Sequence, residues 1–547
     1  MNSAFVCCLT AALACTSASA QPSPAPVHPA ISARFAAGAD RLPVWVFLAD
    51  KGVAPAALPA ALANAQAAMN PRTLQRRLAR RTDPGLVDER DLPVHSPYRD
   101  AIAATGATIR QASRWANAIS VLVTPDQAAA IAALPCVARL EPVRTGPRTQ
   151  PIDFTPTPAG GYANRDFYGP ASPQLAQINL QALHTQGFTG AGVIIGILDT
   201  GFHRAHDSFN TPGHAVTVIA EHDFINNDNN AGIDPGDPGG QHSHGTLILG
   251  CIGAYQPNVL VGGAYNASFI LCKTEDITSE TPIEEDNYVA GLEFIEAHGG
   301  DVATSSLGYI DWYTQADLDG LTAVTTLAVN VATANGLHCC TAAGNEGHDD
   351  NPATSSLIAP ADALRVITCG AGRIDGSTSS FTSSGPTADG RVKPEVLARG
   401  SGTYTVHPDD LGALVQASGT SLSTPLVAAA VACIVQAHPT WTVDQLRAAL
   451  FATASDMVAN GQPDPLYIRG YGFVNAADAA AFQPPSCDPD VNCDGAANGV
   501  DVEVMELAVG GDLADFCQPD ADFNADGAVN GTDVEAVELV VGGQACP

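Results

Sequence analysis

Between residues 168 and 482 short apolar strand-like runs recur, separated by helical segments. "GVIIGILDT" (192–200), "ASFILCKTED" (267–276), "DVATSSLG" (301–308), "LHCCTAAG" (337–344) and "RVITCGA" (365–371) are the runs. "EEDNYVAGLEFIEAHGG", "DLDGLTAVTTLAVNVATANG" and "TVDQLRAALFATAS" are helical segments among them. A strand apolar on both faces has to be covered on both faces. This pattern therefore restricts the region to a mostly parallel sheet packed between two layers of helices. In such folds ligands meet the chain at the carboxyl ends of strands. Polar residues at those ends are the first place to look for chemistry.

Four of them have no evident packing role. Asp199 ends the apolar run of "ILDTG", His244 opens the apolar helix of "HSHGTLILGCIGA", and Asn345 follows a strand in "TAAGNEG". Ser421 lies in "ASGTSLSTPLVAAAVACIVQAHP" (417–439), whose residues from Leu426 onward read as a helix buried on every side. Singly, each has a plain structural reading as strand exit, helix cap or turn former. Together they supply the parts of nucleophilic acyl transfer. A serine hydroxyl needs a histidine to take its proton, and the histidine needs a carboxylate to fix its tautomer. An Asn amide can donate to the developing oxyanion. The order Asp, His, Ser along the chain is one of the orders in which this triad occurs.

Six motifs carry a family likeness: "VIIGILDTG", "HSHGT", "SSLG" (305–308), "AAGNEG", "FTSSGPTADGRVKPEVLARG" (381–400) and "SGTSLSTPLVAAA". In that order they resemble the subtilisin-like serine proteases, the subtilases of peptidase family S8, over about 175 to 480. The resemblance implies a subtilisin-like three-layer α/β domain with a mostly parallel sheet, spanning 170–482. It implies Asp199 as orienting carboxylate, His244 as base, Ser421 as nucleophile and Asn345 as oxyanion donor. Ser306, Leu307 and Gly308 would offer backbone to an extended peptide or protein substrate, adding it as a strand. Ser418, Ser423 and Thr424 are left as caps or packing. Leu247 and Leu426 depart from the family, which commonly has histidine there. The alternatives are an inactive subtilase scaffold that acts as a binding protein, and an esterase, although no Gly-x-Ser-x-Gly elbow surrounds Ser421.

The rest of the chain is organised around this domain. "MNSAFVCCLTAALACTSASA" (1–20) reads as a signal peptide cut after Ala20, which makes the product secreted, periplasmic or surface-associated. Elsewhere we expect no transmembrane segment, since no apolar run reaches the roughly 18–20 uncharged residues that span a bilayer. Residues 28–145 alternate strand and helix in a small α+β pattern. They resemble the family's propeptide, an inhibitor and folding chaperone, with 146–169 as an exposed linker holding the processing site. Charge is divided accordingly. Residues 21–150 hold 15 Lys and Arg against 9 Asp and Glu, and the remainder 10 against 48. A basic segment can thus bind its own acidic partner domain, and nucleic acid is excluded as a partner for the acidic part.

The tail, 487–547, repeats itself. "DVNCDGAANGVD" (490–501) and "DFNADGAVNGTD" (522–533) place Asp490, Asn492, Asp494, Asn498 and Asp501, then Asp522, Asn524, Asp526, Asn530 and Asp533, at positions 1, 3, 5, 9 and 12 of a loop. Gly495 and Gly527 stand at position 6. Oxygen ligands at these spacings form an EF-hand-like Ca²⁺ loop. With Asp at position 12, the repeats resemble a small helical dockerin-type module, which implies two bound Ca²⁺ and a cohesin-like or cell-surface partner. Cys487, Cys493, Cys517 and Cys546 cluster here, where disulfides fit an exported chain. Seven further cysteines, from Cys136 to Cys433, sit in apolar runs and read as small core residues.

Overall fold

The structure is a computed structural model. It describes residues 24–143, 154–157, 166–278, 283–310, 313–483, 491–492, 498–517, 521–523 and 529–541. The expected signal segment lies outside them, as do Asp490, Asp494, Gly495, Asn524, Asp526 and Gly527 of the tail repeats.

The N-terminal unit is α+β, as its pattern predicts. Strands β1 (Leu42–Leu48), β2 (Thr108–Ser113), β3 (Ala118–Val123) and β4 (Val137–Pro142) form an antiparallel sheet in the order β2-β3-β1-β4. Val44, Val46, Ile119, Val121 and Leu140 make its fully buried core. Helix α1 (Pro71–Arg80) is capped by Asn70, whose Oδ1 accepts from the Arg72 amide at 2.9 Å.

The region read as exposed linker is in part a strand. β5 (Phe154–Thr157) pairs antiparallel with a strand immediately before Ser421, with Phe154 opposite Ala417. The Pro- and Thr-rich composition suggested a loop, but the free edge of a two-stranded ribbon supplies backbone partners that local sequence does not reveal.

The large domain follows the expected architecture. Seven strands run parallel: β6 (Ile194–Asp199), β7 (Thr217–Asp223), β8 (Ser268–Lys273), β9 (Val302–Ser305), β10 (His338–Ala342), β11 (Ile367–Gly372) and β12 (Val396–Arg399). Their order is β12-β11-β10-β9-β6-β8-β7. The chain leaves β8 on one side of β6 and re-enters as β9 on the other. Order therefore reverses around β6, the point at which open α/β sheets bind ligands. Helices α2 (Ser243–Gly253), α3 (Ile283–Ala297), α4 (Val324–Ala334) and α5 (Thr420–Ala437) cover the sheet, and β13 (Thr403–Val406) and β14 (Leu414–Ala417) form the ribbon that β5 extends.

Helix α5 is buried from Thr420 to Val435. Among the described residues it is one helix of the length and composition to cross a membrane, yet 89% of it is buried inside the domain. Its Val, Ala, Cys and Ile side chains form the centre of one apolar core, and Leu247 and Leu426 pack into the same core. The seven cysteines read as core residues are free and buried.

In the tail, helices Gly499–Val509 and Gly531–Val541 pack around Val491, Val504, Met505 and Val537. Cys517 is disulfide-bonded. Asp501 and Asp533 are fully buried at the first turns, each accepting the amide of the position-9 residue, Asn498 or Asn530, at 2.8 Å.

Candidate active site

Asp199 is the last residue of β6 and fully buried. Its Oδ1 accepts from the Thr200 amide at 2.7 Å and the Thr200 hydroxyl at 3.2 Å, and meets His244 Nδ1 at 2.7 Å. His244 reaches it because α2 docks almost on top of β6. A methyl on Gly245 would lie 3.1 Å from Asp199 Cβ and overlap the Gly201 carbonyl, so glycine at 245 permits the approach. Burial pushes the His244 pKa down, but the Asp199 charge and hydrogen bond, with the field of Glu275, more than offset it. The net is a rise above the ordinary 6.5.

Ser421 sits in the first turn of α5. The turn that delivers it passes through Gly419 at φ 152°, a conformation that favours glycine, and the Gly419 amide is held by the Gly400 carbonyl at 2.8 Å. Helix α5 starts at Thr420, so Pro425 lies in its second turn rather than at its head. Proline has no N–H for the carbonyl four residues earlier, which is that of Ser421. Ser306 repairs the gap: its hydroxyl donates to the Ser421 carbonyl at 2.9 Å, while Ser421 Oγ donates to the Ser306 carbonyl at 3.1 Å. The end of β9 and the head of α5 are thereby locked together. In this arrangement the Ser421 hydroxyl rests on the Ser306 carbonyl.

Asn345, exposed after β10, has its side-chain oxygen engaged by the Thr420 amide at 2.8 Å and the Thr420 hydroxyl at 3.0 Å. The side-chain NH₂ is the group left to donate, which suits a developing oxyanion. Thr420 and Thr200 orient the polar groups beside them and were not singled out for this from sequence. Their position next to Ser421 and Asp199 was the available signal. Of the hydroxyls read as caps, Ser423 and Thr424 bond back to the Thr420 carbonyl and Ser418 holds the Gly402 amide. None caps α5.

The structure thus brings Asp199 and His244 together, and separately Ser421, Ser306, Thr420 and Asn345. They lie at the carboxyl ends of β6, β9 and β10 and at the heads of α2 and α5. A hydroxyl at a helix N-terminus, an imidazole oriented by a buried carboxylate, and an amide donor are the constituents of serine-based acyl transfer.

The model of the subtilase family matches residues 190–472. The chain belongs to the subtilase family. A peptidase S8 propeptide domain described from Bacteroidota matches residues 43–153, so this subtilase is a serine endopeptidase made with a propeptide. It is 29% identical to subtilisin E of Bacillus subtilis (strain 168) over 383 residues, 70% of this chain and 85% of that one. It is 31% identical to the subtilisin of Bacillus pumilus over 307 residues, 56% of this chain and 97% of that one. Its fold is similar to the crystal structure of fervidolysin from Fervidobacterium pennivorans, a keratinolytic enzyme related to subtilisin. There the TM-score is 0.56 and the identity 20%, over 82% of this chain and 62% of that longer one.

The propeptide docks through arginines. Arg76 and Arg77 of α1 and Arg114 converge on Glu296 in the last turn of α3, at 2.6, 2.9 and 2.9 Å. Arg76, Arg72 and Arg80 also donate to the carbonyls of Gly300, Gly299 and Pro439. These carbonyls lie just beyond the C-terminal ends of α3 and α5, where the helix dipole favours cations.

Subtilases commonly bind calcium, and the oxygens of Asp223, Asp228 and Asp234 lie within 4.8 Å of one another. That cluster does not fit a divalent cation as it stands. The buried Lys273 ammonium is 2.8 Å from Asp223, 3.1 Å from Asp234 and 2.9 Å from Asp237, and supplies the positive charge itself. No metal is assigned in the 226–240 loop.

Proposed function

We propose that this chain is the precursor of a secreted subtilisin-like endopeptidase in which Ser421 attacks the peptide carbonyl. His244 takes the hydroxyl proton and returns it to the leaving amine, and Asp199 fixes the imidazole with Nδ1 protonated. The oxyanion lies between the Asn345 side-chain NH₂ and the Ser421 amide, and water then hydrolyses the acyl-enzyme. Residues 306–308 receive the substrate backbone as an added strand. The observation that carries this reading is the 2.7 Å His244–Asp199 pair at the switch point of the sheet, with Ser421 at the head of α5 tied to Ser306 at the end of β9, the strand that neighbours β6.

The N-terminal segment keeps the enzyme inactive until self-cleavage in the 146–169 link. The tail binds two Ca²⁺ through Asp490, Asn492, Asp494, Asn498 and Asp501 and through Asp522, Asn524, Asp526, Asn530 and Asp533, and docks to a cohesin-like or cell-surface partner. Its buried Asp501 and Asp533 at helix starts support that assignment. A fluorophosphonate reagent should label the wild type and not Ser421→Ala, and only the wild type should lose its N-terminal segment and digest casein. A folded, processed wild type that takes no label and cleaves nothing would refute the proposal.

A further inference from the structure

The residue whose carbonyl is attacked must lie with its backbone along 306–308 and its carbonyl oxygen at Asn345. Its side chain then points into the space between two walls, the 306–308 segment after β9 and the 343–345 segment after β10. Both walls carry a glycine: Gly308 on one, open towards Ile358, and Gly344 at φ 117° on the other, open towards the Ser383 hydroxyl and Ile358. A third segment closes the base. Tyr309 and Ala359 exchange backbone hydrogen bonds of 2.8 and 3.0 Å, and the Ile358 amide donates to the Ala343 carbonyl at 3.2 Å.

Ile358 itself fills the space. A methyl on Gly308 would overlap its Cδ1 and Cγ1, and a methyl on Gly344 would come within 3.2 Å of its Cγ2. Ile358 is only 4% exposed, yet it belongs to neither apolar core of the large domain, unlike its neighbours Leu357 and Ala359. Its side chain is packed between the two glycine walls instead.

We infer that Ile358 closes the primary specificity pocket and restricts cleavage to bonds following a small residue such as alanine, serine or glycine. The inference rests on the protease reading and names its substrate class. Alanine needs no depth beneath the walls. Phenylalanine or leucine would have to displace the branched Ile358 side chain, which is held by backbone hydrogen bonds on both flanks. A steric block of this kind discriminates by excluding the larger group rather than by improving contacts to the smaller one.

Peptidyl p-nitroanilides that differ only at the residue before the scissile bond test this on the processed enzyme. The wild type should show kcat/KM at least about 100-fold higher for alanine than for phenylalanine. Ile358→Gly should shift the phenylalanine-to-alanine ratio of kcat/KM by about 100-fold towards phenylalanine. Ile358→Ala, which keeps a Cβ, should lie between. Fluorophosphonate labelling and thermal melting show whether each variant is folded and competent. Equal use of alanine and phenylalanine by labelled wild type, or an unchanged ratio in a labelled Ile358→Gly or Ile358→Ala enzyme, would overturn the inference and leave the protease reading intact. Failure of the wild type to label would remove the protease reading, and this inference with it.

Discussion

Glu296→Ala should loosen the propeptide from its enzyme more than any other single charge removal at that surface. The Glu296 side chain is 1% exposed and carries three guanidinium partners. Arg77 keeps a bidentate bond to Asp91, at 2.8 and 2.7 Å, when Glu296 is gone. Arg76, equally buried, keeps only the carbonyls of Gly300 and Asn335. Burial already pushes the Arg76 pKa down against the pull of Glu296, so the stranded cation is in an unfavourable medium. Breaking a buried pair by deleting one partner costs about 3–5 kcal/mol. At about 1.4 kcal/mol per decade, that weakens association by between about a hundred-fold and several thousand-fold. Arg114→Ala, whose side chain is 26% exposed, should cost only about 1 kcal/mol. The assay is a Ser421→Ala precursor, cut once in 146–153 by a site-specific protease, with dissociation followed by native mass spectrometry on dilution. A Glu296→Ala complex that holds within about ten-fold of the parent, or loosens no more than Arg114→Ala, would show that the arginine cluster is not what anchors the propeptide.

Two further expectations concern charge. His244 must be neutral to act as a base, and its pKa lies above 6.5, so kcat/KM should climb with pH through a midpoint above that value. Asp199→Asn removes the raising influence and leaves the lowering effect of burial, so the midpoint should fall while kcat drops by about 10⁴; a midpoint that does not move would separate the pair from catalysis. Lys273→Met should leave Asp223, Asp234 and Asp237 without their cation, costing about 3–5 kcal/mol in unfolding, and millimolar calcium should recover part of the melting temperature. Unaltered melting, with or without calcium, would mean that Lys273 does not hold the loop.

Much of the candidate site is suggested by residue order alone, because Asp199, His244, Asn345 and Ser421 each stand at the end or head of an apolar element. Such elements have few options other than a covered parallel sheet. The sheet order was not legible, and it is the order β9-β6-β8 that sets Asp199 and Ser306 side by side at a switch point. Local chemistry in "SGTSLSTP" did suggest a helix start with spare hydroxyls. That Pro425 leaves the Ser421 carbonyl free for Ser306 depends on a residue 115 positions away.

The sequence by itself determined the class of fold, the candidate catalytic residues and the division into basic and acidic segments, since these depend on periodicity, residue type and charge along the chain. Only the tertiary structure decided that β5 joins the ribbon before Ser421, that three arginines meet on Glu296, that Lys273 stands among the loop carboxylates and that Ile358 fills the space between Gly308 and Gly344. Each is a contact between residues far apart in sequence, fixed by how the packed layers bring strand ends together, and no local pattern encodes such a distance.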